Sequence, residues 1–368
     1  MTVRYQADVP ARRIAFFISP HGFGHAARAA SVMEALAEIE LSLQFDIFTT
    51  VPEWFFANSD SFSFQYHRLE TDIGLVQKTP FQEDLPATVQ KLKKFLPFNP
   101  TQIAAAAEKI KHLKCKLIVC DIAPMGIQIA KEAGVPSVLI ENFTWDWIYQ
   151  GYEKEEFNEF NAYLQSIFAD ATCHIQTQPI CKPVRADFTA NPASRKIKSP
   201  SRKIRQRLGL SNSDKVVLIT AGGVPKSYGF IDKLKEQTDT HFIIPGASDT
   251  ENIQDNLILL PENSGYFHPD LINAADAVVG KVGYSTIAEI YQVGVPFGYS
   301  HRVRYRESKP LVDFVENHMS GFAIEETEFQ NGAWVHRLQD LLTLPRIERD
   351  TSNGADQIAG FIRLLLEK

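Results

Sequence analysis

The chain holds 368 residues, more than one hydrophobic core normally supports, so two domains are expected. Hydrophobic residues make up 44% and charged residues 22%, which excludes a disordered or fibrous protein. With 38 basic against 44 acidic side chains the formal charge is −6, which excludes a nucleic-acid binder built on a broad basic face.

Cys115, Cys120, Cys173 and Cys181 are too few for a disulfide scaffold, and no pair has C-x-x-C spacing, so a zinc or thioredoxin-type site has no support. No stretch approaches the ~20 apolar residues of a membrane span, and Ile14–Ile18 is too short for a leader core. A cytoplasmic location is therefore expected. The segment Lys91–Leu96 is basic and apolar together, so a weak peripheral membrane contact stands open beside the plainer reading of a solvated helix face.

In chain order, strands are expected at Ile14–Ser19, Gln44–Thr49, Leu117–Cys120 and Ser137–Ile140. Between the first two, Ala29, Val32, Met33 and Leu36 recur at i, i+3, i+4 and i+7, one apolar helix stripe. A second helix, Met125–Ala133, stops at Gly134-Val135-Pro136. The texture changes over Pro179–Ser213, where Pro179, Pro183, Pro192 and Pro200 and the basic cluster Arg195 to Arg207 read as an interdomain connection ending in a short solvated helix. Strands resume at Lys215–Thr220, His241–Pro245, Leu257–Leu260, Ala277–Gly280 and Val295–Tyr299. The expected architecture is α/β: a first Rossmann-like domain over residues 1–180, a linker over 181–213 and a second Rossmann-like domain over 214–353. The last helix, 354–368, is free to pack back on the first. In parallel sheets ligands sit beyond the carboxyl ends of the strands, so the cleft between the domains is the expected site.

The first candidate loop is Ser19-Pro20-His21-Gly22-Phe23-Gly24-His25-Ala26-Ala27-Arg28, between strand one and its helix. Its glycines permit a tight turn and close approach to a ligand, and the helix start favours anions. Gly22-x-Gly24-x-x-Ala27 also fits a loose dinucleotide fingerprint, but His25 would crowd the pyrophosphate and the nearest acid, Asp46, lies inside strand two. By position His25 reads equally as entering the cleft or as a helix-start histidine hydrogen-bonded locally. Asp121 ends the strand Leu117–Cys120 at the same rim, where it could orient the imidazole as a general base or merely cap the helix near Pro124. In the second half, Lys281-x-Gly283-x-Ser285-Thr286-x-x-Glu289 follows a strand and opens a helix, the makings of a diphosphate site. Thr286-x-x-Glu289 reads equally as a capping box. Gly222-Gly223 offers another turn at that rim. Pro225 replaces the glycine a P-loop needs before Lys226. No metal constellation is visible.

At these residues the sequence resembles glycosyltransferases of the GT-B fold. Lys281 to Glu289, followed by Gly294-Val295-Pro296, is similar to the donor motif of the peptidoglycan N-acetylglucosaminyltransferase and to the plant UDP-glycosyltransferase signature. Gly24-His25 and Asp121 resemble the catalytic histidine and aspartate of the plant enzymes. Gly22 to Arg28 is also similar to a loop of the nucleotide-sugar hydrolase of pseudaminic acid synthesis. Pro20 to His25 and Asn142-Phe143-Thr144-Trp145-Asp146-Trp147-Ile148 resemble the glycosyltransferase-like part of plant arabinokinases; ATP chemistry is not expected.

The resemblance implies an inverting, metal-independent transfer from a nucleotide-sugar donor, uridine being the commonest base in the matched families, to an acceptor hydroxyl. No cofactor is expected beyond that co-substrate. His25 would be the base and Asp121 its partner. Lys281, Gly283, Ser285 and Thr286 would hold the diphosphate, Glu289 the ribose and Glu307 the donor sugar, with Gly22, Gly24, Gly222 and Gly223 letting backbone approach the donor. Asn142 and Trp145 are the candidates for a small-molecule or saccharide acceptor, with core packing as the alternative. A nucleotide-sugar hydrolase and a non-catalytic nucleotide-sugar-binding module remain the competing functions.

Overall fold

The computed structural model describes residues 12–58, 61–79, 81–220 and 229–367. In the front domain β1 (Arg13–Ile18), β2 (Gln44–Thr49) and β3 (Phe64–Arg68) are followed by a small antiparallel hairpin of β4 (Gln77–Thr79) and β5 (Gln82–Glu83). Then come β6 (Cys115–Asp121), β7 (Ser137–Glu141), β8 (Cys173–Thr177) and β9 (Phe188–Ala190). The front sheet is parallel, in the order β3-β2-β1-β6-β7-β8-β9.

The rear domain contributes β10 (Lys215–Thr220), β11 (Thr240–Pro245), β12 (Asn252–Gln254), β13 (Leu257–Leu260), β14 (Ala277–Lys281), β15 (Phe297–Ser300) and β16 (Gly321–Ala323). Its order is β12-β13-β11-β10-β14-β15-β16, with β12 antiparallel at the edge. The molecule is thus two parallel-sheet α/β domains, as expected.

The continuous apolar runs follow from burial on both faces. Along β1, Ala15 and Phe17 face the helix Pro124–Ala133, while Ile14, Phe16 and Ile18 face the helix Gly24–Ile39. Strand order reverses between β1 and β6 in front and between β10 and β14 behind, so each sheet opens a crevice at its switch point.

The segment 181–213 is not one linker. Strand β9 extends the front sheet, and the helix Ser201–Arg207 sends Ile204 into the rear core together with Leu208, leaving roughly 191–200 as the crossing. A three-residue edge strand between prolines carries no periodic signal, and Arg205 hides the helix's burial because its guanidinium is folded inward onto the Ala274 carbonyl and Asp276. The chain crosses back at its end: Ala355, Ile358, Ala359 and Ile362 of the helix Gly354–Leu366 share one core with the helix Gly24–Ile39. Lys91–Leu96 lies at the end of the helix Leu85–Phe95 with Leu92 and Leu96 buried, so lysines and not an apolar face meet solvent there. Among the described residues no helix is long and apolar enough to cross a membrane.

The domains also exchange side chains beside the cleft. Tyr305 of the rear domain is buried in the front core, and Phe81 of the front hairpin is buried in the rear core against Phe329, ring centroids 5.8 Å apart. Arg302 donates to Glu83 at 2.8 Å, and Arg306 donates to the Trp147 carbonyl at 2.6 Å. Ile362 is fully buried, so Ile362→Ala should cost about 2–5 kcal/mol in denaturant unfolding, whereas a loosely docked C-terminal helix would register only tenths.

Candidate active site

The turn after β1 places Gly22 at φ 71°, a left-handed conformation that favours glycine, and the helix starts at Gly24. His25 therefore sits in the first helical turn, with β6 beside it. In register, Ile18 pairs with Asp121, which puts the carboxylate next to the loop. The His25 Nδ1 lies 3.0 Å from Asp121 Oδ1. An ionised carboxylate only accepts, so Nδ1 carries the proton and Nε2 keeps its lone pair. One turn along the same helix, Arg28 donates through Nε to Asp121 Oδ2 at 2.8 Å and through Nη2 to Oδ1 at 2.6 Å. Burial pushes the Asp121 carboxyl up, but the Arg28 guanidinium and the hydrogen bonds from His25 and Arg28 hold it below the usual carboxylate range. Asp121 does not cap the following helix, whose N-cap is Ala123. His21 lines the same space; burial, with Arg302, His25 and Lys281 nearby, drives its pKa well below the ordinary histidine value, so it is neutral.

The helix Tyr284–Val293 starts opposite. Its N-cap is Gly283, and no side chain caps it, so the first backbone N–H groups have no capping partner. Thr286 is the third helical residue and not an N-cap, which removes the capping-box reading. Glu289 instead accepts from Arg195 Nε at 2.8 Å and pairs with His268 Nδ1 at 2.8 Å. Burial raises the Glu289 carboxyl, but Arg195 and His268 outweigh it and the net shift is downward. Arg195 lies between two rings, 5.1 Å from Phe55 in front and 4.9 Å from Phe267 behind. A Cβ built on Gly24 would stand 3.5 Å from Ser285 Oγ, so the two helix starts meet.

Two cavities open from this meeting point and share Phe23, Gly24, Ser285 and Thr286. One, of about 1020 Å³, holds Glu289, His268, Tyr266 and Trp54 on its walls. The other, of about 760 Å³, is lined by Gly22, His25, Lys281, Gly283 and Glu307. Gly222 and Gly223 lie outside the described residues. Asn142 and Trp145 do not present themselves to an acceptor. Trp145 is 1% exposed, its indole donating to Asp72 at 3.3 Å, and it backs the site with its ring 6.3 Å from His25. Asn142 is fully buried; its oxygen accepts from Arg28 at 2.7 Å and its amide donates to Glu307 at 3.0 Å. An aromatic–amide stretch has the same composition whether it faces a sugar or an interior.

Spacing did not single out Arg28, Arg195 or His268. Arg28 carried one usable signal, its position three residues after His25 on the same helix face. Arg195 was hidden in a basic cluster, and His268 has no local signature. Among the described residues no group of three or more His, Cys, Asp or Glu side chains is placed to hold a metal ion.

The sequence pattern of glycosyl transferase family 1 matches residues 12–298. L-arabinokinase of Arabidopsis thaliana is 26% identical over 356 residues, covering 95% of this chain but 34% of that protein, so the chain spans about a third of its relative's length. The UDP-N-acetylglucosamine–N-acetylmuramyl-(pentapeptide) pyrophosphoryl-undecaprenol N-acetylglucosamine transferase of Bacillus subtilis is 24% identical over 267 residues, covering 66% of this chain and 70% of that one. Among solved structures, the calicheamicin glycosyltransferase CalG4 superposes with a TM-score of 0.66 at 15% identity, over 97% of this chain and 99% of its own. A Medicago truncatula protein complexed with UDP-glucose superposes with a TM-score of 0.61 at 13% identity, over 97% and 98%. With its two facing sheets and the cleft between their switch points, the chain has the GT-B fold and belongs to glycosyl transferase family 1.

Proposed function

We propose that this glycosyltransferase is inverting and metal-independent, and that it moves a sugar from a UDP-linked donor to an acceptor hydroxyl. The observation that carries the reading is the placement of the His25–Asp121 pair and the start of the helix Tyr284–Val293 on opposite walls of one continuous cleft. The Nε2 lone pair of His25 takes the acceptor's hydroxyl proton as that oxygen attacks the anomeric carbon, and the bond from that carbon to the diphosphate breaks on the far side. One in-line displacement inverts the centre. Negative charge grows on the departing diphosphate, where the N–H groups of the helix start and the ammonium of Lys281 stabilise it. Those groups supply the countercharge that a metal would otherwise bring.

Glu289 suits ribose hydroxyls, since each carboxylate oxygen retains acceptor capacity beyond its bond to Arg195 or His268. Glu307, lining the cavity of His25, suits the donor sugar's hydroxyls. The Bacillus subtilis relative uses a UDP-sugar by name and the Medicago truncatula structure holds one, which supports uridine as the carrier. We place the reaction in the cytoplasm, in keeping with four cysteines that form no disulfide.

His25→Ala should lower kcat by ~10²–10⁴-fold while titration calorimetry finds the nucleotide affinity unchanged. Undiminished turnover in that variant would remove His25 from the chemistry. Lys281→Ala should weaken nucleoside diphosphate binding by about tenfold or more, the size expected for one charge-assisted contact. Chelation with EDTA should leave turnover intact; a loss restored by magnesium would refute metal independence.

A further inference from the structure

The His25–Asp121 pair does not end in the front domain. Arg28, 1% exposed, clamps both oxygens of Asp121 and uses its remaining terminal nitrogen, Nη1, on Asn142 Oδ1 at 2.7 Å. With its oxygen held by a donor, the Asn142 amide must turn its NH₂ outward, and it meets Glu307 Oε1 of the rear domain at 3.0 Å. The Arg28 guanidinium also lies 4.6 Å from the ring centre of Tyr284, the first residue of the helix expected to hold the diphosphate. The Tyr284 hydroxyl bonds to that of Thr177 and accepts from the Ala193 N–H at 3.0 Å, so the ring is fixed. Arg28 thus touches the aspartate of the base pair directly, the diphosphate helix through a ring, and the sugar-side carboxylate through one amide.

We propose that Arg28 is a positioning residue, and that its buried relay through Asn142 to Glu307 makes alignment of the base conditional on the two lobes being closed. This rests on the transferase reading above. A two-pronged arginine fixes the plane of a carboxylate and therefore the direction in which it holds an imidazole. The same cation offsets the charge of Asp121, so the aspartate alone no longer balances the imidazolium formed when His25 takes a proton. Glu141 of the front lobe also acts on Arg28 by its charge, but the carboxylate hydrogen-bonded into the group through Asn142 is Glu307, and it belongs to the other lobe. When the lobes part, Asn142 loses Glu307 and Arg28 loses the Tyr284 ring. Water entering an open cleft then meets a base whose arginine and asparagine supports have lost their bracing from the rear lobe, and transfer is favoured over wasteful hydrolysis of the donor.

The test is made on the 368-residue chain with ¹⁵N-labelled histidine, His25 being assigned through His25→Gln and each variant checked by thermal melting. Wild type should show a single His25 tautomer with the proton on Nδ1. Arg28→Lys, Asn142→Ala and, from the other lobe, Glu307→Ala should each convert this to a mixture of tautomers. In turnover, Arg28→Lys and Asn142→Ala should lower kcat by about 10- to 100-fold, the cost of a small misplacement of a reacting group, with the donor KM within about threefold. A His25 signal untouched by all three substitutions in folded protein overturns the relay. So does a loss confined to donor KM. Failure of the transferase reading would look different: no donor consumed by wild type, while the His25 signal still responds to Glu307→Ala.

Discussion

Two helix starts, one from each sheet, face each other so closely that a Cβ on Gly24 would already stand in van der Waals contact with Ser285. Each leaves backbone N–H groups without helical partners, and each lies at the point where strand order reverses. Most of the site's chemistry derives from that meeting. It gathers partial positive charge where a diphosphate would lie, brings His25 and Lys281 to one cavity, and leaves Glu289 in the adjoining one.

The meeting is held by further contacts between the domains. Tyr305 and Phe81 are each buried in the opposite domain's core, Arg306 anchors on Trp147, and the last helix returns to the front domain. Close to the cleft, Arg195 ties the crossing segment to Glu289 and sits between rings from both lobes. The buried charges are arranged in compensated groups, Asp121 with Arg28 and Glu289 with Arg195, because an uncompensated ion at such depth would be costly.

Parts of this were legible in the sequence for physical reasons. Strands buried on both faces are mostly continuously apolar, so β1, β6, β7, β10, β13 and β14 stood out, and β2 did so despite the buried Asp46 in its middle. Strand β3 did not, because its exposed positions carry polar residues, and β9 is too short to show a period. The glycine turns announced the two helix starts, since left-handed or closely approached backbone leaves a mark in residue type. Partners distant in sequence leave none. Glu289 could be read as a cap because Arg195 stands 94 positions away, and Asn142 could be read as a sugar contact because Arg28 and Glu307 are 114 and 165 positions from it. Trp145 misled for a related reason: indole serves a core and a binding face equally well.

The central claim is that the diphosphate of the donor is held at the start of the helix Tyr284–Val293, across the cleft from His25. A crystal structure of the protein with UDP tests it most directly. The account predicts phosphate oxygens within hydrogen-bonding distance of the Ser285 and Thr286 backbone N–H groups, and the ribose in the cavity of Glu289. A nucleotide bound away from that helix start, or bound there with its phosphates pointing away from the cavity that holds His25, would contradict it.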